Sequence, residues 1–234
     1  MNTLIFDAGG VLVYPRLGQW HLPYRAAEIL GPERAATLDT DRFRRVQAGA
    51  MEWLDEGRIV DSLDTERLLR RGFVMALDRG MGWHMTDGEI ARMTDDFNDN
   101  PDRYGFFDDV REALVRWKGA YRMAVLSDAM PSLYPVIEGY GLMPMLDAMV
   151  ISTHVGATKP SPRMYEAILQ KLGTRPEDCL FIDDRADNLY GAVRCGLHAV
   201  QMSRPEFPAA ALWDGPVAHD FADLDAMLAK GAIP

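Results

Sequence analysis

Polar residues that could do chemistry follow four short apolar runs in this chain. They are Asp7 after Leu-Ile-Phe, Ser127 and Asp128 after Ala-Val-Leu, Lys159 in the loop after Val-Ile-Ser, and Asp183 and Asp184 after Leu-Phe-Ile. Any one of these residues, taken alone, is typical of a helix cap or a loop. Four such coincidences favour one shared site, because ligands of open parallel sheets bind beyond the carboxyl ends of the strands.

These residues make a carboxylate-rich group with a single lysine. Asp187 adds a fifth carboxylate, whereas Lys159 supplies the only ammonium. Carboxylates held close together disfavour each other's ionisation unless a cation neutralises them. A hard divalent ion with oxygen ligands, of which Mg²⁺ is the best candidate, would provide that charge and could bridge to a phosphate. The residue types therefore predict phosphoryl chemistry.

The elements that must position these residues alternate between buried strands and helices. The predicted strands are residues 3–6, 122–126, 148–151, 179–182 and 199–202, and the predicted helices around them are residues 108–117, 132–139, 162–172, 188–195 and 222–229. Short apolar runs separated by helical patterns are typical of parallel sheets covered on both faces. We therefore predict an α/β fold with a doubly wound parallel sheet.

A long segment separates the first two predicted strands. It has about a hundred residues, which is far too many for a plain crossover connection. Apolar residues recur at three- and four-residue spacing in 25–30, 33–48, 64–77 and 89–97, and Thr86 with Glu89 would form a capping box. We predict a helical cap subdomain at residues 14–102, inserted into a core domain of residues 1–13 and 103–234.

Composition narrows the classes of partner. The 234 residues are 48% hydrophobic and 26% charged, as in globular proteins, and the net charge of −10 disfavours nucleic acid and anionic membranes as partners. Two cysteines and five isolated histidines argue against a disulfide framework and a histidine zinc site. With no leader or membrane span visible, a cytoplasmic monomer or homodimer is expected.

Four segments resemble, in the same order, the four motifs of the haloacid dehalogenase-like (HAD) hydrolase superfamily. They are FDAGGVLV, AVLSDA, ATKPSPRMYE and FIDDRADN. The resemblance covers nearly the whole chain and points to the branch with a helical cap inserted after the first motif. It implies a Rossmann-like core, Mg²⁺ as the cofactor, and phosphatase activity on a small phosphorylated metabolite.

The resemblance also implies a metal site. Asp7 would be the nucleophile that forms an aspartyl-phosphate, and it would ligate the metal as well. The carbonyl of Gly9 and the carboxylate of Asp183 would be further ligands. Asp184 or Asp187 would act directly or through bound water.

The residues that would contact the substrate are implied in the same way. Ser127 would hydrogen-bond the phosphoryl group, with Asp128 next to it in the substrate site. Lys159 would neutralise charge on the nucleophile and on the transferring oxygens. Among the arginines of the predicted cap, Arg16 is the first candidate to bind a substrate carboxylate or a second phosphate.

The first motif departs from the family pattern at Gly9, where typical phosphatases have a second aspartate as general acid and base. Such help is worth roughly 10² to 10⁴ in rate. Activity should therefore be weak or confined to good leaving groups, unless another group substitutes. Candidates are Asp128, which could instead be a structural acceptor for backbone amides, and His21, Tyr14 and Tyr24, for which ordinary cap packing is favoured.

Two other functions remain open. In a 2-haloacid dehalogenase Asp7 would attack carbon, but metal-free dehalogenases of this family usually have a small polar residue where this chain has Asp183, next to Asp184. A catalytically weakened module that binds a phospho-ligand and regulates is the other alternative, motivated by Gly9. Against it, the nucleophile and Lys159 are both present.

Overall fold

The computed structural model describes residues 1–54, 59–211 and 213–230. Two compact units are present in the chain. An α/β unit comprises Met1–Tyr14, Gly105–Ala129 and Leu133–Pro234, and a helical unit comprises Pro15–Tyr104 and Met130–Ser132. The second segment of the helical unit has no counterpart in the predicted cap of residues 14–102.

The α/β unit is built on a parallel sheet of six strands, so the predicted fold class is confirmed. In chain order the strands of the described residues are β1 (Thr3–Phe6), β2 (Val13–Pro15), β3 (Tyr104–Phe106), β4 (Arg122–Ser127), β5 (Ala148–Ile151), β6 (Cys179–Asp183), β7 (His198–Met202) and β8 (Val217–Ala218). The sheet has the order β5-β4-β1-β6-β7-β8, and β2 and β3 form a separate two-stranded sheet. Two of the four boundaries between the units fall within β2 and β3.

Helices divide between the two units. Those of the helical unit are α1 (Ala26–Ala35), α2 (Asp41–Leu54), α3 (Leu63–Met81) and α4 (Asp87–Asp99). Those of the α/β unit are α5 (Val110–Trp117), α6 (Leu133–Gly139), α7 (Ser152–Val155), α8 (Pro162–Leu172), α9 (Ala186–Arg194) and α10 (Phe221–Lys230). Among the described helices, none is long and apolar enough to cross a membrane.

Both faces of the central strand β1 are covered. Ile5 belongs to a buried apolar cluster with residues of α8 and α9. The next side chain, Phe6, points to the other face, where its ring lies 5.9 Å from Trp117 of α5 and 5.7 Å from Phe221 of α10. This burial on both faces explains why the strands are continuous apolar runs in the sequence.

Strand register brings the loops after the central strands to one edge. Phe6 pairs with Val125 of β4 and with Ile182 of β6. The residues that follow these pairs therefore leave the sheet side by side. Asp7 and Asp183 consequently emerge next to each other at the carboxyl edge, as the sequence pattern predicts.

In the helical unit, the predicted helix over residues 33–48 is wrong. The first helix ends at Ala35 and the next begins at Asp41. Between them the chain turns, and the hydroxyl of Thr40 accepts a hydrogen bond of 3.2 Å from the backbone N–H of Phe43. The threonine thus caps a new helix inside an apolar pattern that looked continuous. The capping box of Thr86 and Glu89 in α4 is confirmed.

Candidate active site

A buried lysine joins the ends of three strands in the α/β unit. Lys159 is 5% exposed, and its Nζ lies 2.9 Å from Asp7 Oδ1 and 2.7 Å from Asp183 Oδ2. The same Nζ donates to the carbonyl of Leu126 at 3.1 Å. The chain segments after β1, in β4 and at the end of β6 are therefore held around one ammonium group.

The pKa values of Lys159 and Asp7 are both strongly shifted by their surroundings. Burial alone would lower the pKa of Lys159, but the negative charges of Asp183 and Asp7 outweigh it and raise the pKa, so the ammonium persists. Burial raises the pKa of Asp7 to about 6, against the lowering effect of Lys159. Among the described residues, no hydrogen-bond donor is aligned with Asp7 Oδ1, although Lys159 lies within ion-pair distance. A carboxylate oxygen that keeps an unused lone pair is suited to bind a cation or to attack an electrophile.

Asp183 is saturated with donors. In addition to Lys159, its carboxylate accepts from the backbone N–H of Arg185 at 2.8 Å and from Nδ2 of Asn188 at 3.1 and 3.0 Å. The residue is fully buried. Its geometry therefore suits the orientation of Lys159 better than direct binding of a metal.

Asp184 has the opposite environment. Within the described part of the chain, its carboxylate accepts no hydrogen bond from another residue, and burial together with the charges of Asp7 and Asp183 raises its pKa to about 8. Its Oδ2 packs against Gly10, where an added Cβ would lie only 2.7 Å away and where φ is +70°. Only glycine allows this approach, because a side chain at Gly10 would meet both strain and contact.

The oxygen atoms around this gap fit a hard divalent cation. Carboxylate oxygens of Asp7, Asp183 and Asp184 all lie within 4.8 Å of one another. The carbonyl of Gly9 receives no hydrogen bond from any described residue, although the same turn is closed by other bonds. Asp183 already accepts hydrogen bonds on both oxygens. The oxygen ligands that remain for a cation are the carboxylates of Asp7 and Asp184 and the carbonyl of Gly9, an all-oxygen set of the kind that Mg²⁺ prefers.

The other predicted site residues of the α/β unit lie around this group. Ser127 is buried at the end of β4. Asp128 is exposed, and its Oδ1 accepts a hydrogen bond of 3.0 Å from the backbone N–H of Lys159. This contact is the structural role as an acceptor for backbone amides that the sequence analysis gave as one alternative. Asp187 forms an exposed ion pair of 2.7 Å with Arg185. Its carboxylate is therefore engaged by a cation of the chain itself.

The remaining candidates are divided between the units. Arg16 belongs to the helical unit, where its Nε donates to the carbonyl of Tyr104 at 3.0 Å. His21 and Tyr24 also belong there, and burial lowers the pKa of His21 to about 4, so its imidazole is neutral near pH 7. Tyr14 lies in the α/β unit, with its ring 5.0 Å from that of Phe107.

Comparison with known proteins decides the family. The sequence model of the haloacid dehalogenase-like hydrolase family matches residues 1–196. The chain belongs to this family. As a HAD-like hydrolase it carries all four motif segments at the carboxyl edge of its parallel sheet, in the places described above.

Named relatives of this HAD-like hydrolase include both phosphatases and dehalogenases. The chain is 34% identical over 132 residues to Phosphatase MT3486 of Mycobacterium tuberculosis, covering 55% of this chain and 58% of that protein. It is 30% identical over 112 residues to (S)-2-haloacid dehalogenase 4A of Burkholderia cepacia, covering 45% and 48%. These matches thus span about half the length of the curated relatives.

Solved structures show the same fold. L-2-haloacid dehalogenase from Xanthobacter autotrophicus superposes with a TM-score of 0.68 at 20% identity, covering 98% of each chain. At 20% identity the similarity shows a shared fold only, so the reaction must be argued from the residues of the site.

Sequence reasoning missed Asn188 in this HAD-like hydrolase. The residue is buried in the first turn of α9, and its backbone carbonyl accepts from the hydroxyl of Tyr165 at 2.7 Å. Its amide group holds both oxygens of Asp183. The available signal was its place five residues after Asp183, because the first turn of a helix brings side chains back to the strand end.

Proposed function

We propose that this chain is a Mg²⁺-dependent hydrolase of small phosphate esters that works through an aspartyl-phosphate on Asp7. The observation that carries this proposal is the group of three carboxylates within 4.8 Å of one another, with one ammonium to balance them. Such a group is costly without a further cation, and a cation at this place is suited to phosphoryl oxygens. The phosphatase among the named relatives supports the same reaction class.

In the first half-reaction, an oxygen of Asp7 forms a bond to phosphorus while the ester oxygen departs with the bonding electrons. Lys159 balances the charge on Asp7 and on the transferring group, and the hydroxyl of Ser127 donates to a phosphoryl oxygen. Water then attacks phosphorus, which releases phosphate and restores the carboxylate. Mg²⁺, when held by Asp7, Asp184 and the carbonyl of Gly9, supplies positive charge to the phosphoryl oxygens.

The departing alcohol receives little help from the α/β unit. Gly9 has no side chain to donate a proton. Lys159 is committed to two carboxylates, and Asp128 already accepts from a backbone N–H. Esters whose leaving group departs as a stable anion should therefore be the better substrates.

Dehalogenation of a small halo acid is the competing reaction, because a nucleophilic carboxylate beside a lysine would serve it as well. The carboxylate of Asp184 favours the phosphatase. This group is partly buried and accepts no hydrogen bond from another described residue, which is costly unless a cation binds there, whereas attack on carbon needs no such cation.

The test measures phosphate release from an activated aryl phosphate and from a panel of sugar and nucleotide phosphates, with Mg²⁺ or with EDTA. Metal-dependent turnover is expected for the wild type and for Asp178→Asn, whose site lies at the opposite edge of the sheet before β6. It should be lost in Asp7→Asn. Halide release without phosphate release would replace the proposal by dehalogenation, and phosphate-stabilised melting without turnover would replace it by a binding module.

A further inference from the structure

Two buried polar side chains at the end of β7 take no part in the carboxylate–lysine group. Gln201 is fully buried and Arg204 is 3% exposed. Each donates a hydrogen bond to a backbone carbonyl in a loop that also carries an oxygen ligand of the candidate metal site. Buried polar groups of this kind are costly unless they are fully hydrogen-bonded, so their contacts define what they hold.

Arg204 holds the loop after β1. Its Nη2 and Nε donate to the carbonyl of Val11 at 2.9 and 3.2 Å, and its Nη1 lies 2.8 and 3.0 Å from the two oxygens of Asp109. The guanidinium carbon lies 4.2 Å from the ring centre of Phe107 and 4.8 Å from that of Phe221. Hydrogen bonds therefore fix the guanidinium group within its plane, and the two aromatic rings pack against it.

The carbonyl of Val11 depends on this arginine. In the turn after β1, the carbonyl of Ala8 accepts from the N–H groups of Leu12 and Val13, and the carbonyl of Val13 accepts from Gly10. None of the backbone N–H groups that the structure describes reaches the carbonyl of Val11. Charge-assisted bonds from Arg204 thus set the peptide orientation two residues after the carbonyl of Gly9.

Gln201 holds the loop after β6. Its Nε2 donates to the backbone carbonyl of Asp184 at 2.9 Å and to that of Ala211 at 2.6 Å. The main chain of Asp184 is therefore anchored, while no other residue that the structure describes donates a hydrogen bond to its carboxylate. This combination suits a residue whose side chain must face a cation from a fixed direction.

We propose that Arg204 and Gln201 are positioning residues, which hold the carbonyl of Gly9 and the carboxylate of Asp184 in the arrangement that binds a divalent cation. They act through the backbone and touch neither the cation nor the substrate. The inference rests on the proposed function for its metal, but its readout is metal binding and needs no turnover.

The test uses Arg204→Lys, Arg204→Met and Gln201→Leu in the full chain. Calorimetric titration with Mg²⁺ alone, and Mn²⁺ binding followed by electron paramagnetic resonance, give dissociation constants without substrate. We expect the constant to rise about 10-fold in Arg204→Met and in Gln201→Leu, as for other residues that orient metal ligands. Arg204→Lys should recover part of the loss, because an ammonium can still reach the carbonyl of Val11. At saturating Mg²⁺, KM for the phosphate ester should stay near the wild-type value.

The matched control is Leu172→Ala, a truncation of a buried side chain at the end of α8. It lowers the melting temperature without touching the loops after β1 or β6. Unchanged Mg²⁺ affinity in Gln201→Leu and Arg204→Met, or an equal loss of affinity in Leu172→Ala, would overturn the positioning role. A wild type that binds Mg²⁺ but hydrolyses no ester would refute the proposed function alone, whereas one that binds no divalent cation would refute both.

Discussion

Replacement of Asp184 by asparagine is expected to stabilise the metal-free protein. The carboxylate is partly buried beside Asp7 and Asp183, and burial together with these charges raises its pKa from 3.8 to about 8. At pH 7 a group with this raised pKa stays mostly protonated in the folded state, and holding the proton costs about 4 kcal/mol. Asp7 shares that cost and the group is partly exposed, so the substitution should recover about 1 to 2 kcal/mol, or about 2 to 8 °C in Tm.

The sign of the pH dependence follows from the direction of the shift. An acid with a raised pKa binds more protons in the folded state, so the stability of the metal-free wild type falls between about pH 4 and pH 8. The Asp184→Asn variant should lose less stability over this range. Mg²⁺ at about 100 times its dissociation constant should add about 2.7 kcal/mol to the wild type, and far less to the variant.

Urea denaturation in EDTA at pH 5 and pH 7.5 measures the gain in stability and its pH dependence, and the same experiment in Mg²⁺ without EDTA measures the stabilisation by the metal. The matched control is Asp187→Asn, three residues further on, where the hydrogen bond from Arg185 lowers the pKa of the carboxyl group. Loss of that carboxylate should bring no gain in stability. An Asp184→Asn variant no more stable than the wild type at pH 7.5, or an equal gain in Asp187→Asn, would contradict the expected cost of the Asp184 carboxyl group.

Three further outcomes follow from the same contacts. Lys159→Met removes the ammonium that lies 2.9 Å from Asp7, and it should cost about 3 to 5 kcal/mol in urea denaturation and nearly all phosphate release; retained turnover would contradict the assigned role. Gly9→Asp should raise turnover of alkyl phosphates by about 10² to 10⁴ relative to activated aryl phosphates, because it supplies a general acid for the leaving group. The plot of log kcat/KM against leaving-group pKa should become flatter, and an unchanged slope would count against this role for residue 9. In the helical unit, Ser132→Ala removes a 2.7 Å hydrogen bond to the buried Glu66 and should cost about 1 to 3 kcal/mol, whereas unchanged urea denaturation would show that the bond is dispensable.

Five of the six strands of the parallel sheet could be predicted because their pattern is local, whereas the two-residue edge strand β8 and the short strands β2 and β3 were missed. A strand buried on both faces is a short apolar run, and the residue after the run lies at the carboxyl edge whatever its neighbours are. Asp7 and Asp183 could therefore be assigned to one edge before any pairing was known. In the helical unit the pattern failed between Ala35 and Asp41, since a threonine cap inside an apolar pattern leaves the periodicity intact.

The roles of adjacent carboxylates could not be predicted in this way. Asp183 and Asp184 are equivalent in the sequence, but Lys159 and Asn188 donate to the first, whereas no other residue in the described ranges donates to the carboxylate of the second. These partners come from other segments, and which oxygen they reach depends on how the loops pack.

What the sequence by itself determined is the family, the parallel sheet and the edge at which the acidic residues and Lys159 meet, because strand burial and motif order are written in consecutive residues. Tertiary structure alone decided which carboxylate is free for a cation and that Arg204, 193 positions after Val11, holds the first loop. The physical reason is that a buried polar side chain is defined by its hydrogen-bond partners, and those partners are brought together only when distant segments pack.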